Sequence, residues 1–160
     1  MKIQDLSVIA LVILFGVLVQ VVLAGVSLKD TPVRAAEAFT RAYFLLDPAM
    51  KERMCENLLG DADEVDELRY HAAQEARARG FSPNYMRMQL FDIKAEVLAQ
   101  DAKSAQVELA FEMKRAIHPA FAYFAKLWNI GETYHAVEVL ELVKEAQQWK
   151  VCKHDLALDI

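Results

Sequence analysis

The residues that could carry out chemistry are few and widely spaced along the chain. The histidines are His71, His118, His135 and His154, and the cysteines are Cys55 and Cys152. No two histidines have the spacing of a zinc site, and neither a GxSxG motif nor a glycine-rich phosphate loop occurs. The sequence therefore predicts no catalytic residue, no metal site and no cofactor, and we expect that the protein is not an enzyme.

The acidic segment at residues 61–67 comes closest to a metal-binding motif. A calcium loop that began at Asp61 would need glycine at its sixth position and glutamate at its twelfth, where the chain has Asp66 and Ala72. Acidic side chains are instead favoured in the first turn of a helix, where they interact with the helix dipole. We therefore interpret this segment as the start of a helix.

Two further groups of polar residues differ in the environment that the sequence predicts for them. The acidic residues of the predicted strands alternate with apolar ones, so we expect the following side chains to face solvent: Asp92, Glu96, Glu108, Glu112 and Glu138. A second group could line a cavity, or could pack in the core or at its rim: Tyr43, Tyr85, Tyr134 and His135. The sequence leaves both interpretations of the second group open.

The two cysteines also allow two interpretations. In an oxidising compartment, Cys55 and Cys152 could form one disulfide. Each cysteine follows an apolar residue, Met54 or Val151, which is typical of two separate buried thiols.

The segments that must position these residues read as helices first and strands afterwards. Thr31 followed by Pro32, and Asp47 followed by Pro48, are typical helix starts, and together with the acidic segment they predict three helices. From residue 86 onward apolar residues recur with period two. This pattern predicts four antiparallel strands with a bulge near Leu90 and Phe91 and a phase slip at Val139 and Leu140. The order of elements indicates an α+β domain with a curved sheet.

An aromatic segment at residues 117–131 interrupts the strands. Pro119 and Gly131 bound a short helix that we predict over residues 119–129. The candidate contact residues on it are Phe121, Tyr123, Phe124, Leu127 and Trp128. These side chains could close the mouth of the domain as part of its core, or could form an exposed contact surface for a partner protein or the lipid bilayer.

A charge-free apolar run covers residues 6–28. As a helix it would be about 34 Å long, which is enough to cross a hydrocarbon core of about 30 Å. A cleavable secretory signal is the alternative, but the run exceeds the ~7–15 apolar residues of such signals. We therefore expect a transmembrane signal anchor at residues 1–30, followed by one extracytoplasmic domain at residues 31–160.

The predicted anchor carries a stripe of small and polar residues. Gly16, Gln20, Ala24 and Ser27 fall on or near one helix face, which suits close packing against another transmembrane helix. The flanking positive charges are nearly balanced, and the short segment before the run favours a cytoplasmic N-terminus. We expect a single-pass protein of the bacterial inner membrane with its C-terminal domain in the periplasm.

The domain at residues 31–160 resembles a known superfamily. Three helices, long bent strands and a closing strand with Gln148-Trp149-Lys150-Val151 are similar to the NTF2-like (nuclear transport factor 2-like), cystatin-related α+β cone. The resemblance implies about three helices packed on a curved four-stranded antiparallel sheet. That superfamily includes isomerases, dehydratases, ligand binders and non-catalytic assembly modules, so the resemblance implies a fold rather than one activity.

The net charge of the chain and the predicted transmembrane anchor together indicate a class of function. The net charge of −5 provides no basic stripe, so we expect no nucleic-acid partner. We expect a non-catalytic accessory or assembly subunit of a membrane complex, with other subunits and the bilayer as partners and with a homodimer compatible with this role. The alternative is a membrane-tethered NTF2-like cone that binds a small ligand or acts as an isomerase or dehydratase.

Overall fold

A computed structural model of the protein describes residues 12–18, 20, 30–59, 63–115, 119–128 and 130–156. The chain forms two compact units, Met1–Asp30 and Thr31–Ile160. Residues 12–18 and 20 are helical, and the rest of the predicted span at residues 6–28 lies outside the described residues. Among the helices that are described, none combines the length and the apolar character needed to cross a membrane.

The second unit begins with helices, as the sequence predicts. The helices are α1 (Pro32–Phe44), a 3-10 helix (Pro48–Arg53), α2 (Glu56–Leu59), α3 (Asp63–Ala78), a second 3-10 helix (Pro83–Met86) and α4 (Pro119–Leu127). The hydroxyl oxygen of Thr31 accepts a hydrogen bond of 3.3 Å from the backbone N–H of Arg34 at the start of α1. The Asp47 carboxylate likewise accepts one of 2.9 Å from the N–H of Ala49. Both helix starts are therefore capped by the residues that the sequence indicates.

The strands form one four-stranded antiparallel sheet in the order β1-β2-β3-β4. They are β1 (Met88–Gln100), β2 (Ser104–Arg115), β3 (Tyr134–Glu145) and β4 (Gln148–Lys153). The turn before β2 is closed by the carboxylate of Asp101, which accepts hydrogen bonds from the N–H groups of Lys103 and Ser104, both of 2.7 Å. The mixed α+β class and the antiparallel meander are thus confirmed.

The core lies between α1 and the inner face of the sheet. Alternate residues of β2 are buried, and they are Ala105, Val107, Leu109, Phe111 and Met113. Phe44 of α1 meets Phe111 edge to face with ring centroids 5.6 Å apart. Apolar side chains therefore fill the space between α1 and the inner face, which stabilises the domain mainly through burial of apolar surface.

Phe91 lies on the outer face of the sheet, because the bulge in β1 comes after it and leaves its alternation with the buried Leu90 intact. The register with β2 shifts between Phe91 and Lys94, and Asp92 has a φ of 51°, in the left-handed region. The sequence places the bulge near Leu90 and Phe91, whereas the observed irregularity follows Phe91. Phe91 is consequently paired with Glu112, away from the buried residues of β2.

Strand β3 differs from its prediction. Its pairing with β2 is unbroken from Tyr134 to Val143, so the expected phase slip at Val139 and Leu140 is wrong. Both faces of β3 carry apolar residues, so the alternation of apolar and polar residues does not decide which face is buried. Glu138, which is paired with the buried Leu109, lies on the inner face and is half-buried, so the expectation that it faces solvent is also wrong. Burial raises the pKa of Glu138, and the nearby charge of Asp155 raises it further.

The segment after the first 3-10 helix is joined to β4. Met54 forms a parallel bridge with Val151, and the N–H of Cys55 donates a hydrogen bond of 3.0 Å to the carbonyl oxygen of Val151. Cys55 and Cys152 form a disulfide with their Cα atoms 5.2 Å apart. Of the two interpretations of the cysteines, the structure therefore has the bonded pair, which attaches the segment before α2 to the edge of the sheet.

We predict that replacing both cysteines, as Cys55→Ser with Cys152→Ser, lowers the free energy of unfolding by about 2–5 kcal/mol. The disulfide joins residues 97 positions apart, so its loss frees a long loop in the unfolded chain. Chemical denaturation of the wild type under reducing and non-reducing conditions measures the effect. The double variant serves as control, because a reducing agent must leave its unfolding midpoint unchanged.

Candidate functional site

Helix α4 presents apolar side chains to solvent. Tyr123 is 62% exposed, Leu127 74% and Trp128 62%, and these extents are large for side chains of this size. We call the following set the aromatic surface: Tyr123, Phe124, Leu127, Trp128 and Ile130. The rings of Phe124 and Trp128 stack at 5.4 Å between centroids. The side chain of Phe121 lies outside the described part of the structure, and the other four candidate contact residues are exposed rather than part of the core.

Electrostatic contacts attach α4 to the outer face of the sheet. The ammonium group of Lys126 donates hydrogen bonds to the carboxylates of Asp92 on β1 and Glu112 on β2. These hydrogen bonds, first that to Asp92 and then that to Glu112, raise the pKa of Lys126 and keep it charged. Tyr123 meets Phe91 edge to face at 5.6 Å between centroids. The bulge thus supplies two of the contacts of α4, Asp92 and Phe91.

A buried lysine fixes the segment that follows α4. Lys114 on β2 is only 3% exposed, and its Nζ donates hydrogen bonds to the carbonyl oxygens of Ile130 at 3.2 Å and Gly131 at 3.4 Å. Gly131 has a φ of 78°, which favours glycine at this turn. Lys126 and Lys114 therefore hold both α4 and the turn after it, so the aromatic surface is presented on a fixed support.

A separate pocket of about 300 Å³ lies between α1, α3 and the residues that follow β4, and we call it the α1–α3 pocket. Apolar side chains make up most of its lining, among them Phe39, Tyr43, Met50, Met54 and Leu68. Its polar lining residues are Glu67, His71 and His154. Sequence reasoning missed His154 because the residue is close to aromatic side chains of α1 only in the folded structure.

The rings of Tyr43 and His154 lie 5.3 Å apart, and the hydroxyl of Tyr43 donates a hydrogen bond of 2.9 Å to the carbonyl oxygen of Leu156. The Nδ1 atom of His154 is buried and has no hydrogen-bond partner among the described residues. Burial lowers the pKa of the His154 imidazole, and the negative charge of Asp155 offsets this only in part. Of the residues proposed to line a cavity, Tyr43 is thus the one that meets a histidine.

The remaining candidates lie apart from one another. Tyr85 and Tyr134 line a smaller pocket of about 280 Å³ beside Lys114, and His135 is exposed on the outer face, 3.8 Å from the Glu112 carboxylate. His118 lies outside the described residues. In the part that is described, the one close group of candidate metal ligands is Cys55, Glu145 and Cys152. Both sulfur atoms are bonded to each other in the disulfide, which leaves this group without thiolate ligands.

The predicted anchor stripe is described in part. Gly16 and Gln20 belong to the described helical residues, and Gln20 is exposed, whereas Ala24 and Ser27 lie outside them. A methyl group placed on Gly16 would meet no atom within 4 Å.

No family model matches the chain, and no curated protein matches its sequence.

We predict that Lys126→Ala loosens α4 without unfolding the domain. The variant leaves Asp92 and Glu112 without their shared cation, so backbone amides of α4 should exchange hydrogen faster. The free energy of unfolding should fall by less than about 1 kcal/mol, because ion pairs near the surface contribute little to stability. Hydrogen exchange read by mass spectrometry measures the first effect. Lys94→Ala, which removes an exposed lysine from the same strand as Asp92, should leave α4 exchange unchanged.

We predict that acidification destabilises the wild type through His154. The pKa of His154 is lowered in the folded state. Below the ordinary pKa of about 6.5, the unfolded chain therefore binds a proton that the folded chain does not bind. The free energy of unfolding consequently decreases as the pH decreases. His154→Phe should flatten the dependence of unfolding free energy on pH between about pH 7 and 5.5. Glu138 contributes with the opposite sign, since its pKa is raised, and it is present in both proteins. Equal slopes for the two proteins would contradict this assignment.

Proposed function

We propose that the protein is a non-catalytic accessory or assembly subunit of a bacterial inner-membrane complex. The observation that carries the proposal is the aromatic surface, a set of large apolar side chains that α4 and the residues directly after it expose to solvent. Exposed apolar patches on a fixed support are typical of protein interaction sites, and aromatic residues are enriched in the centres of such interfaces. The domain would dock to a neighbouring subunit through this surface.

The anchor is the second part of the proposal. The charge-free run at residues 6–28 supports a single membrane span, with the N-terminus in the cytoplasm and the domain in the periplasm. Gly16 and Gln20, together with Ala24 and Ser27, would contact a transmembrane helix of a partner. A disulfide between Cys55 and Cys152 suits an oxidising compartment such as the periplasm.

The NTF2-like cone remains our interpretation of the domain, and it is supported by α1 packed on a bulged four-stranded sheet. The alternative of an isomerase, dehydratase or ligand-binding cone has weaker support. Apolar side chains of α1 and β2, such as Phe44 and Leu109, occupy the inner face where such a site would lie. Self-association as a homodimer is supported by Val137 and Val139, which are 62% and 40% exposed on the outer face of β3.

We predict that Leu127→Asp combined with Trp128→Asp abolishes the recovery of partner subunits. A charge at each position would have to be desolvated in the interface, so association should weaken by a factor of about ten or more. The full chain is purified through a C-terminal tag in mild detergent, and co-purified proteins are quantified by mass spectrometry.

Tyr70→Asp is the matched control, because Tyr70 is 60% exposed on α3 and belongs to neither site. It should leave the set of partners unchanged. A wild-type protein that purifies as a lone monomer would contradict the proposed function.

We predict a separate contribution from the anchor. Gln20→Leu removes the amide that could hydrogen-bond to a partner helix, which should reduce partner recovery severalfold without changing membrane insertion. Val17→Leu, at another exposed position of the described helical residues, should have no effect. If Gln20→Leu leaves recovery unchanged, the stripe is not a contact.

A further inference from the structure

Strand β1 has one edge that no described part of the chain covers. It pairs with β2 alone, and within the described residues no backbone hydrogen bond leaves its other edge. The opposite edge of the sheet, at β4, is covered by Met54 and Cys55. Unpaired edges pair readily with other strands, so proteins usually cover them or keep them very short. Strand β1 is 13 residues long, which makes its free edge a candidate for pairing with another chain.

The inner face of β1 carries only apolar residues at this edge. The inner-face residues of the segment 93–97 are Ile93, Ala95 and Val97, and the last two are paired with buried residues of β2. An inward-pointing charge, which is one of the devices that prevent edge pairing, is therefore missing from this segment. Val97 is 39% exposed and Leu98 49% exposed, so apolar surface is left uncovered beside the edge.

The outer face of the same segment carries two charges of opposite sign. Lys94 and Glu96 are exposed, and neither forms an ion pair within the described residues. Glu96 is paired across the strands with Glu108, and like charges directly opposite each other destabilise a sheet. A positive group on the free side of Glu96 would reduce this repulsion.

A second copy of the chain supplies that group if its β1 runs antiparallel along the free edge, with a two-fold axis at Ala95. Lys94 of each copy then lies opposite Glu96 of the other on the outer face, and Ile93 lies opposite Val97 on the inner face. Opposite charges across an antiparallel pair are stabilising, and the two-fold axis makes each contact occur twice.

Charge also selects the position of the axis. An axis at Lys94 or at Glu96 would place that residue opposite the same residue of the other copy, and the like charges would repel. The axis at Ala95 instead gives two attractive pairs. The segment is therefore self-complementary in one register.

We propose that the chain self-associates through antiparallel pairing of β1 with β1 of a second copy over residues 93–97, about a two-fold axis at Ala95. The two sheets then form one continuous sheet. This deepens the homodimer that the proposed function includes and rests on that part of it. The contact is the edge of β1 and not the outer-face residues Val137 and Val139.

The test is a disulfide cross-link at the proposed axis. The full chain carrying Ala95→Cys is oxidised in mild detergent by dioxygen with a copper–phenanthroline catalyst, where four thiol groups give two disulfides and one dioxygen molecule becomes two water molecules. No free native cysteine competes within the described residues, because Cys55 and Cys152 are bonded to each other. The Cβ atoms of the two introduced cysteines would be about 4.5–5.5 Å apart, so a disulfide needs little movement. A reducible dimer should be the main product.

Ala99→Cys is the matched control, since it makes the same substitution at an exposed position of the same strand. In the proposed register the two copies of this position would be about 27 Å apart, at ~3.4 Å per residue. Ala99→Cys should therefore give little cross-linked dimer.

Charge variants made in the Ala95→Cys chain test the register. Lys94→Glu alone, or Glu96→Lys alone, places like charges opposite each other and should raise the dissociation constant of the dimer about tenfold or more. An equal mixture of the two variants restores both attractive pairs and should recover cross-linking between unlike chains. Both residues are exposed, so neither change should unfold the domain.

Equal cross-linking of Ala95→Cys and Ala99→Cys would overturn the proposal, and so would a mixture of the charge variants that links no better than either variant alone. A dimer that persists in both charge variants but is lost in Val137→Lys would overturn it as well, because self-association would then use the outer face of β3. Recovery of partner subunits is measured on the same charge variants and should stay at the wild-type level, since the aromatic surface is unchanged. Failure of the β1 contact and failure of the docking surface are therefore distinguishable.

Discussion

The packing of α1 against the inner face of the sheet determines where chemistry can occur in this domain. Phe39 and Phe44 of α1 pack with Val107, Leu109 and Phe111 of β2 and fill the inner face with apolar side chains. Close packing of this kind dominates stability, because removal of a buried side chain costs both its transfer free energy and a cavity. Exposed or accessible functional groups must therefore lie outside this layer. The aromatic surface does so, across the sheet from α1, whereas the α1–α3 pocket lies at the margin of the packed layer and shares Phe39 with it.

One of the two irregularities in β1, the bulge after Phe91, connects the sheet to the aromatic surface. The left-handed residue Asp92 belongs to a bulge that re-aims the strand, and bulges commonly redirect side chains at functional positions. Asp92 then shares Lys126 with Glu112, so one cation bridges two strands and α4. Each ion pair is weak near solvent, but the geometry fixes which side of α4 faces the sheet. Large apolar side chains such as Leu127 are left exposed, although water does not solvate them well.

The edge of the sheet at β4 is protected by the chain itself. Met54 and Cys55 pair with Val151, and the disulfide makes that pairing covalent. Covering an edge in this way reduces the risk of uncontrolled pairing with other chains. The same segment forms part of the floor of the α1–α3 pocket, so edge protection and pocket shape depend on one short stretch. Exposed apolar side chains remain on α4 and on the outer face of β3, among them Leu127 and Val137.

Local signals in the sequence determined much of the fold. Thr31, Pro32 and Asp47 set helix starts through contacts within three residues, and period-two alternation specified the antiparallel strands, while Pro119 and Gly131 bounded the aromatic helix. Tertiary structure alone decided the rest. The register of β3 with β2 decides which face of β3 is buried. The sequence leaves this choice ambiguous because both faces of β3 carry apolar residues. The prediction that Glu138 faces solvent is wrong for this reason. The disulfide, the exposure of Trp128 and the meeting of His154 with Tyr43 join residues far apart in sequence, and only the packed chain brings such residues together.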